Sequence, residues 1–222
     1  MEDLIRYAPD LALGFLENIK LSLVAAIASL ILGTVLVAMR VSPTPVLRAA
    51  GTIYVNIVRN TPLTLVLAFS ALGLSDQLGL VFSDVPTTNS FWIVAMGLSA
   101  YTAAFVCEAL RSGINTVPLG QAEAARAIGL TFMQSLRMII LPQAFRTVIA
   151  PLGSVMIAMI KNTTVATAGG AAFEAASKMK EAFDQVGASI PIFLGIAAAF
   201  MAVTLPIGFL TGRLARRLAV AR

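Results

Sequence analysis

The sequence predicts an all-α membrane protein of about five transmembrane helices, with its N-terminus outside and its C-terminus in the cytoplasm. Three observations lead there. Hydrophobic residues make up 58% of the chain and charged residues only 12%, about half the roughly 25% charge of soluble domains. Five apolar runs approach or exceed the roughly 20 residues a helix needs to cross hydrocarbon. Lysine and arginine collect on the connections of one side.

The first span, Leu21 to Met39, carries no charge and is bracketed by Lys20 and Arg40. Before it, Leu4, Leu11, Phe15 and Ile19 recur at helical spacing. That stretch reads either as a short amphipathic helix at the outer interface or as an extension of the span; periodicity allows both. Met1-Glu2-Asp3 lacks a basic n-region and no small-residue cleavage pattern follows, so the first span is expected to remain as an anchor. The second span, Ala49 to Leu74, holds Arg59, and the third, Phe91 to Leu110, holds Glu108 near one end. The fourth, Thr147 to about Ala168, holds Lys161. The fifth, Ile190 to Leu210, precedes a basic tail of Arg213, Arg216, Arg217 and Arg222. Five spans put the termini on opposite sides. Residues 40–48, 111–146 and 213–222 carry ten arginines, against Arg6, Lys20, Lys178 and Lys180 on the other side, which makes the former cytoplasmic. Most acids, Glu174 among them, fall outside.

Composition excludes several functions. With no histidine and one cysteine, Cys107, the chain can form no internal disulfide and lacks the usual zinc, copper and haem ligand sets, so no cofactor or metal is expected. The net charge of +5 is scattered between apolar runs, which does not suit nucleic acid. There is no Gly-x-x-x-x-Gly-Lys-Ser/Thr and no Gly-Lys dipeptide, hence no P-loop for ATP, and no histidine-based triad. The chain is not expected to be an enzyme by itself. It shows no internal repeat or low-complexity linker and reads as one membrane domain, residues 1–222.

The connection at about residues 112–142 is patterned. Pro118 and Gly120 break the chain, residues 121–128 favour helix, and Gly129 is a natural left-handed stop. Thr131 with Gln134 fits a capping box opening a second short helix through Phe132, Leu136 and Ile140, and Pro142 forbids a hydrogen bond back into that turn and bends the chain toward the next span. Ala124 and Ala125 are small enough to admit another surface, and Glu123 is the one acid in the segments assigned inside. By periodicity alone this is an ordinary amphipathic loop covering helix ends.

The run Gly120-Gln121-Ala122-Glu123-Ala124-Ala125-Arg126-Ala127-Ile128-Gly129, followed by Ile140-Leu141-Pro142, resembles the EAA loop of ATP-binding-cassette (ABC) importer permeases. Arg59-Asn60-Thr61-Pro62-Leu63 and Lys161-Asn162-Thr163-Thr164 resemble signatures of the polar amino-acid subfamily. Met39-Arg40-Val41-Ser42-Pro43 and Arg111-Ser112-Gly113-Ile114-Asn115 are similar to actinobacterial glutamate-importer permeases. The resemblance covers about residues 18–212; the Ala/Gly-rich Gly169–Ala176 segment departs from it. It implies a type I importer permease fold in a bacterial plasma membrane. Its partners would be a second, homologous permease, two cytoplasmic ATPases and an extracytoplasmic solute-binding protein, with glutamate or a related polar amino acid as cargo. It also implies that Gly120, Glu123, Ala124, Ala125, Gly129 and Pro142 couple the chain to its ATPase.

Arg59 and Lys161 lie deep enough in their runs to approach mid-bilayer, where a charge at a helix centre costs about 2.5–3.5 kcal/mol on the insertion scale. They must face protein, water or ligand. With Asn60, Thr61, Asn162, Thr163 and Thr164 beside them, and Pro62 and Pro151 loosening the backbone, they are candidates to line a translocation path. The competing reading is a structural bridge, such as Arg59 to a carbonyl or to a carboxylate of a partner. Glu108 and Arg111 read as a local helix pair, and Cys107 as a small packing residue. A self-contained secondary transporter or channel would need coupling carboxylates inside the membrane, and a membrane-anchoring subunit would need no polar residues at depth.

Overall fold

The computed structural model describes residues 2–218. Arg222, counted above in the basic tail, lies outside the described residues. These form α1 (Glu2–Val41), α2 (Pro45–Arg59), α3 (Leu63–Ala68), α4 (Pro86–Asn115), α5 (Leu119–Ala127), α6 (Phe132–Ser135), α7 (Leu141–Asn162), α8 (Ala175–Val186) and α9 (Ile190–Leu218). Four helical runs are long and apolar enough to cross a membrane, and five if one bent pair counts as a single span.

The bent pair is the expected second span. It breaks at Asn60-Thr61-Pro62, where α2 and the helix from Leu63 to Gln77 meet at 106°. Pro62 has no N–H to donate and pushes Thr61 away from helical dihedrals. Asn60 Nδ2 and Thr61 Oγ1 instead donate to the carbonyls of Asn56 and Ile57, at 2.7 and 2.8 Å, and so satisfy the end of α2. Beyond the break, α3 continues as a π-helix over Phe69–Gln77.

The first span takes the longer of its two possible forms. At 1.5 Å per residue, the 40-residue α1 is about 60 Å long, twice the hydrocarbon thickness of roughly 30 Å. Its N-terminal part is not an interfacial helix. Tyr7 and Leu11 bury against Ala182 of α8 and Ile192 of α9, giving the apolar stripe a protein neighbour.

The main core joins Leu21 and Ala25 of α1, Leu67 of α3, Val94 and Leu98 of α4, Met159 of α7 and Phe200 of α9. The most apolar window of α4 is 67% buried and that of α9 only 6%, which makes α4 the central post and α9 the periphery. Helices α1 and α4 approach closely at Gly33, where an added Cβ would stand 2.5 Å from Val106 Cγ1 and 3.0 Å from the Ala103 carbonyl oxygen. A smaller cluster toward the cytoplasmic ends unites Val37, Val55, Ala104 and Cys107. Cys107 is fully buried there, as a packing residue should be.

The second helix of the cytoplasmic connection is not separate. After α6 the chain widens into a π-helical turn, Leu136–Ile140, and runs directly into α7. Pro142 is the second residue of α7 and does not end a helix; the wider turn before it relieves the clash a proline ring makes with an α-helical turn.

Candidate functional site

The cytoplasmic end is built by local rules. Pro118, with φ −58° and ψ 136°, stands before α5 and sets its start. At the other end Gly129 has φ +85°. The Leu130 N–H donates to the Ala125 carbonyl and the Gly129 N–H to that of Arg126, both at 3.0 Å, which is a Schellman stop. The capping box follows: Thr131 N–H donates to Gln134 Oε1 at 2.9 Å and Gln134 N–H to Thr131 Oγ1 at 3.3 Å. Helix α5 therefore has both ends fixed. Gly120, Glu123, Ala124, Gly129 and Pro142 are exposed. Ala125 is turned inward and 1% exposed, so of the two alanines only Ala124 is available to another surface. Leu119 is 81% and Ile128 75% exposed, flanking Glu123 with apolar area. Glu123 makes no salt bridge among the described residues.

Deeper, Glu108 collects three guanidinium groups from three helices. Its Oε1 accepts from Arg40 Nη1, its Oε2 lies 3.3 Å from Arg59 Nη1, and Arg111 stands 4.0 Å away. Arg40 is nearly enclosed, with 7% of its side chain exposed, whereas Arg59 and Arg111 are each 43% exposed. The Arg59 guanidinium also lies 5.9 Å from the centroid of the Phe105 ring, within cation–π range. Arg59 therefore has a protein carboxylate as a neighbour. The bend at Pro62 stops α2 short, and Arg59 sits level with Glu108, seven residues before the end of α4. The expected Glu108–Arg111 pair is the longest contact in the cluster. Sequence spacing pointed to a neighbour three residues away and missed Arg40, 68 residues away.

Between α4 and α7 lies a cavity of about 310 Å³, walled by Tyr101, Thr102 and Phe105 on one side and Ser154, Met159 and Asn162 on the other. Asn162 is the one expected path residue among its walls. Phe105 connects the cavity to Arg59, and Lys161, exposed in the last turn of α7, precedes Asn162. Asn60 and Thr61 are occupied in capping α2. Thr164 donates to the Lys161 carbonyl at 2.8 Å. Thr163 is fully buried, donating to the Ile160 carbonyl at 2.7 Å and accepting from Asn18 Nδ2 at 2.8 Å.

Asn18 leads to a residue that sequence reasoning placed at the outer surface. Glu174 is 0% exposed and caps α8 in the Gly169–Ala176 segment, accepting from the N–H groups of Ala176 and Ser177 at 2.6 and 3.0 Å. The signal available was weak: an acid immediately before a helical run, which marks an N-cap but not its burial.

A family model described as binding-protein-dependent transport system inner membrane component matches residues 25–220. Over 220 residues, 96% of each chain, the sequence is 46% identical to the glutamate transport system permease protein GluC of Corynebacterium efficiens. It is equally similar to the protein of that name from Corynebacterium glutamicum. The fold superposes on a crystal structure of an amino acid ABC transporter with histidines, with TM-score 0.85 and 27% identity over 96% of both chains.

Proposed function

Because this chain belongs to the family of binding-protein-dependent transport system inner membrane components, it is a multi-pass membrane permease subunit, and we propose that it imports glutamate or a related amino acid with α5 as its coupling element. The observation that supports coupling is the exposed face of α5. Leu119, Glu123, Ala124 and Ile128 offer an acid between apolar side chains on a helix fixed at both ends. A basic groove on a cytoplasmic ATPase is the complementary partner. ATP binding there draws two ATPases together, moves two such helices and switches access to a central path. A second, homologous permease completes the enclosure, and a solute-binding protein delivers cargo at the outer face. Purified complex should then contain two permease chains per two ATPases, and a transport-competent particle with one permease chain would contradict the assembly.

The cargo reading rests on charge. An acidic amino acid carries two carboxylates and one ammonium group, so its path needs positive potential. The Glu108 cluster sets one carboxylate against three guanidinium groups, and its half-exposed Arg59 touches a wall of the cavity through Phe105. Lys161 supplies a compact charge beside Asn162, while Thr163 and Thr164 shape that end of α7. Arg59→Gln and Lys161→Gln should each depress uptake, by about tenfold for the loss of one charge-assisted hydrogen bond, and more for glutamate than for glutamine. ATPase docking should persist in both. Equal losses for the two amino acids would favour a purely structural bridge, and unchanged uptake would remove both side chains from selection.

A further inference from the structure

The buried carboxylate of Glu174 has more to do than start a helix. Both its oxygens are saturated with donors from three elements. Oε1 accepts from Thr167 Oγ1 at 2.7 Å and Ser177 N at 3.0 Å. Oε2 accepts from Ala176 N at 2.6 Å and, more weakly, from Asn18 Nδ2 at 3.5 Å. Asn18 is itself fully buried in α1. Its Oδ1 accepts from Ala175 N at 2.8 Å and its amide donates to Thr163 Oγ1 at 2.8 Å. No lysine or arginine pairs with Glu174 among the described residues. A carboxylate left in such a place without a counter-ion needs every one of its donors, because burial penalises an unsatisfied charge heavily.

The consequence lies in what the donors are attached to. Thr163 and Thr167 belong to the 3₁₀-helical turn Thr163–Gly169 that prolongs α7. Such turns have poorer internal hydrogen-bond geometry than an α-helix and are set by outside contacts. Here those contacts are Thr167 to Glu174 and Thr163 to Asn18. We propose that Glu174 is a positioning residue: together with Asn18 it fixes the Thr163–Gly169 turn against α1, and thereby the Lys161-Asn162-Thr163-Thr164 end of α7 at the cavity. The inference rests on the reading of that end as part of the path. The Ala/Gly-rich Gly169–Ala176 segment is then the tight return that brings Glu174 back onto the turn it holds, with Gly170 in the left-handed region at φ +74°.

Glu174→Asp separates positioning from capping. Aspartate caps helices at least as well as glutamate, so α8 and the fold are retained, but it is shorter by one C–C bond, about 1.5 Å, and withdraws from Thr167 and Asn18. The reporter is Thr164→Cys, partly exposed, in a chain whose one native cysteine, Cys107, is fully buried. In membranes containing the assembled transporter, labelling of that cysteine by a charged methanethiosulfonate should speed up about fivefold on adding Glu174→Asp, as expected for losing the Thr167 bond, the contact to Asn18 being too long to add much. Glu174→Asp alone should raise the KM for amino-acid uptake while ATPase subunits still co-purify. Faster labelling with an unchanged KM would uphold the positioning role and remove residues 161–164 from the path. Unchanged labelling would overturn the proposal whatever uptake does.

Discussion

Replacing Glu108 by alanine should destabilise the permease by about 3 kcal/mol, the lower end of the range for breaking a buried ion pair, since Glu108 keeps 28% of its side chain exposed. The loss falls mainly on Arg40. With 7% of its side chain exposed, Arg40 cannot turn to water when its partner is removed, whereas the half-exposed Arg59 and Arg111 can. Glu108→Ala should therefore lower the thermal unfolding temperature of the detergent-purified protein and its yield from membranes. Adding Arg40→Leu to that variant should recover part of the loss, because it removes the buried charge left without a partner. A Glu108→Ala variant as stable as the parent would mean that the cluster holds nothing together.

Glu123→Arg should do the opposite: leave the fold alone and disable transport. Glu123 is exposed and in no salt bridge among the described residues, so its replacement should change stability by no more than about 0.5 kcal/mol. If its carboxylate meets a basic group on the ATPase, reversal substitutes repulsion for attraction and like charges at an interface cost several kcal/mol. Uptake should fall at least about tenfold and recovery of ATPase with the permease should drop. Glu123→Gln, which removes attraction without adding repulsion, should be milder. Normal uptake with normal complex recovery in the arginine variant would take Glu123 out of coupling.

What could be read from the chain was what nearest neighbours decide. The Gly129 stop, the Thr131–Gln134 box and the apolar spans each depend on residues within a few positions, and all stand in the structure. The break at Pro62 was also local. Arg59-Asn60-Thr61-Pro62 holds a proline and two side chains able to cap α2, but the length of the surrounding apolar run outweighed them. The pairings of Glu108 with Arg40 and of Glu174 with Asn18 left no local trace, for they join residues 68 and 156 apart. Nor did periodicity decide between an interfacial helix and a longer first span. The choice was made by burial of Tyr7 and Leu11 against α8 and α9, elements near the other end of the chain.

On this reading the chain moves an amino acid only when an ATPase drives it through α5. The most direct measurement is uptake of labelled glutamate into proteoliposomes containing the permease pair, with the solute-binding protein supplied at the outer face. Accumulation should require both the ATPase subunits and ATP on the cytoplasmic side, and should disappear when either is withheld. Accumulation without the ATPase, driven by a sodium or proton gradient alone, would instead make the chain a self-contained transporter.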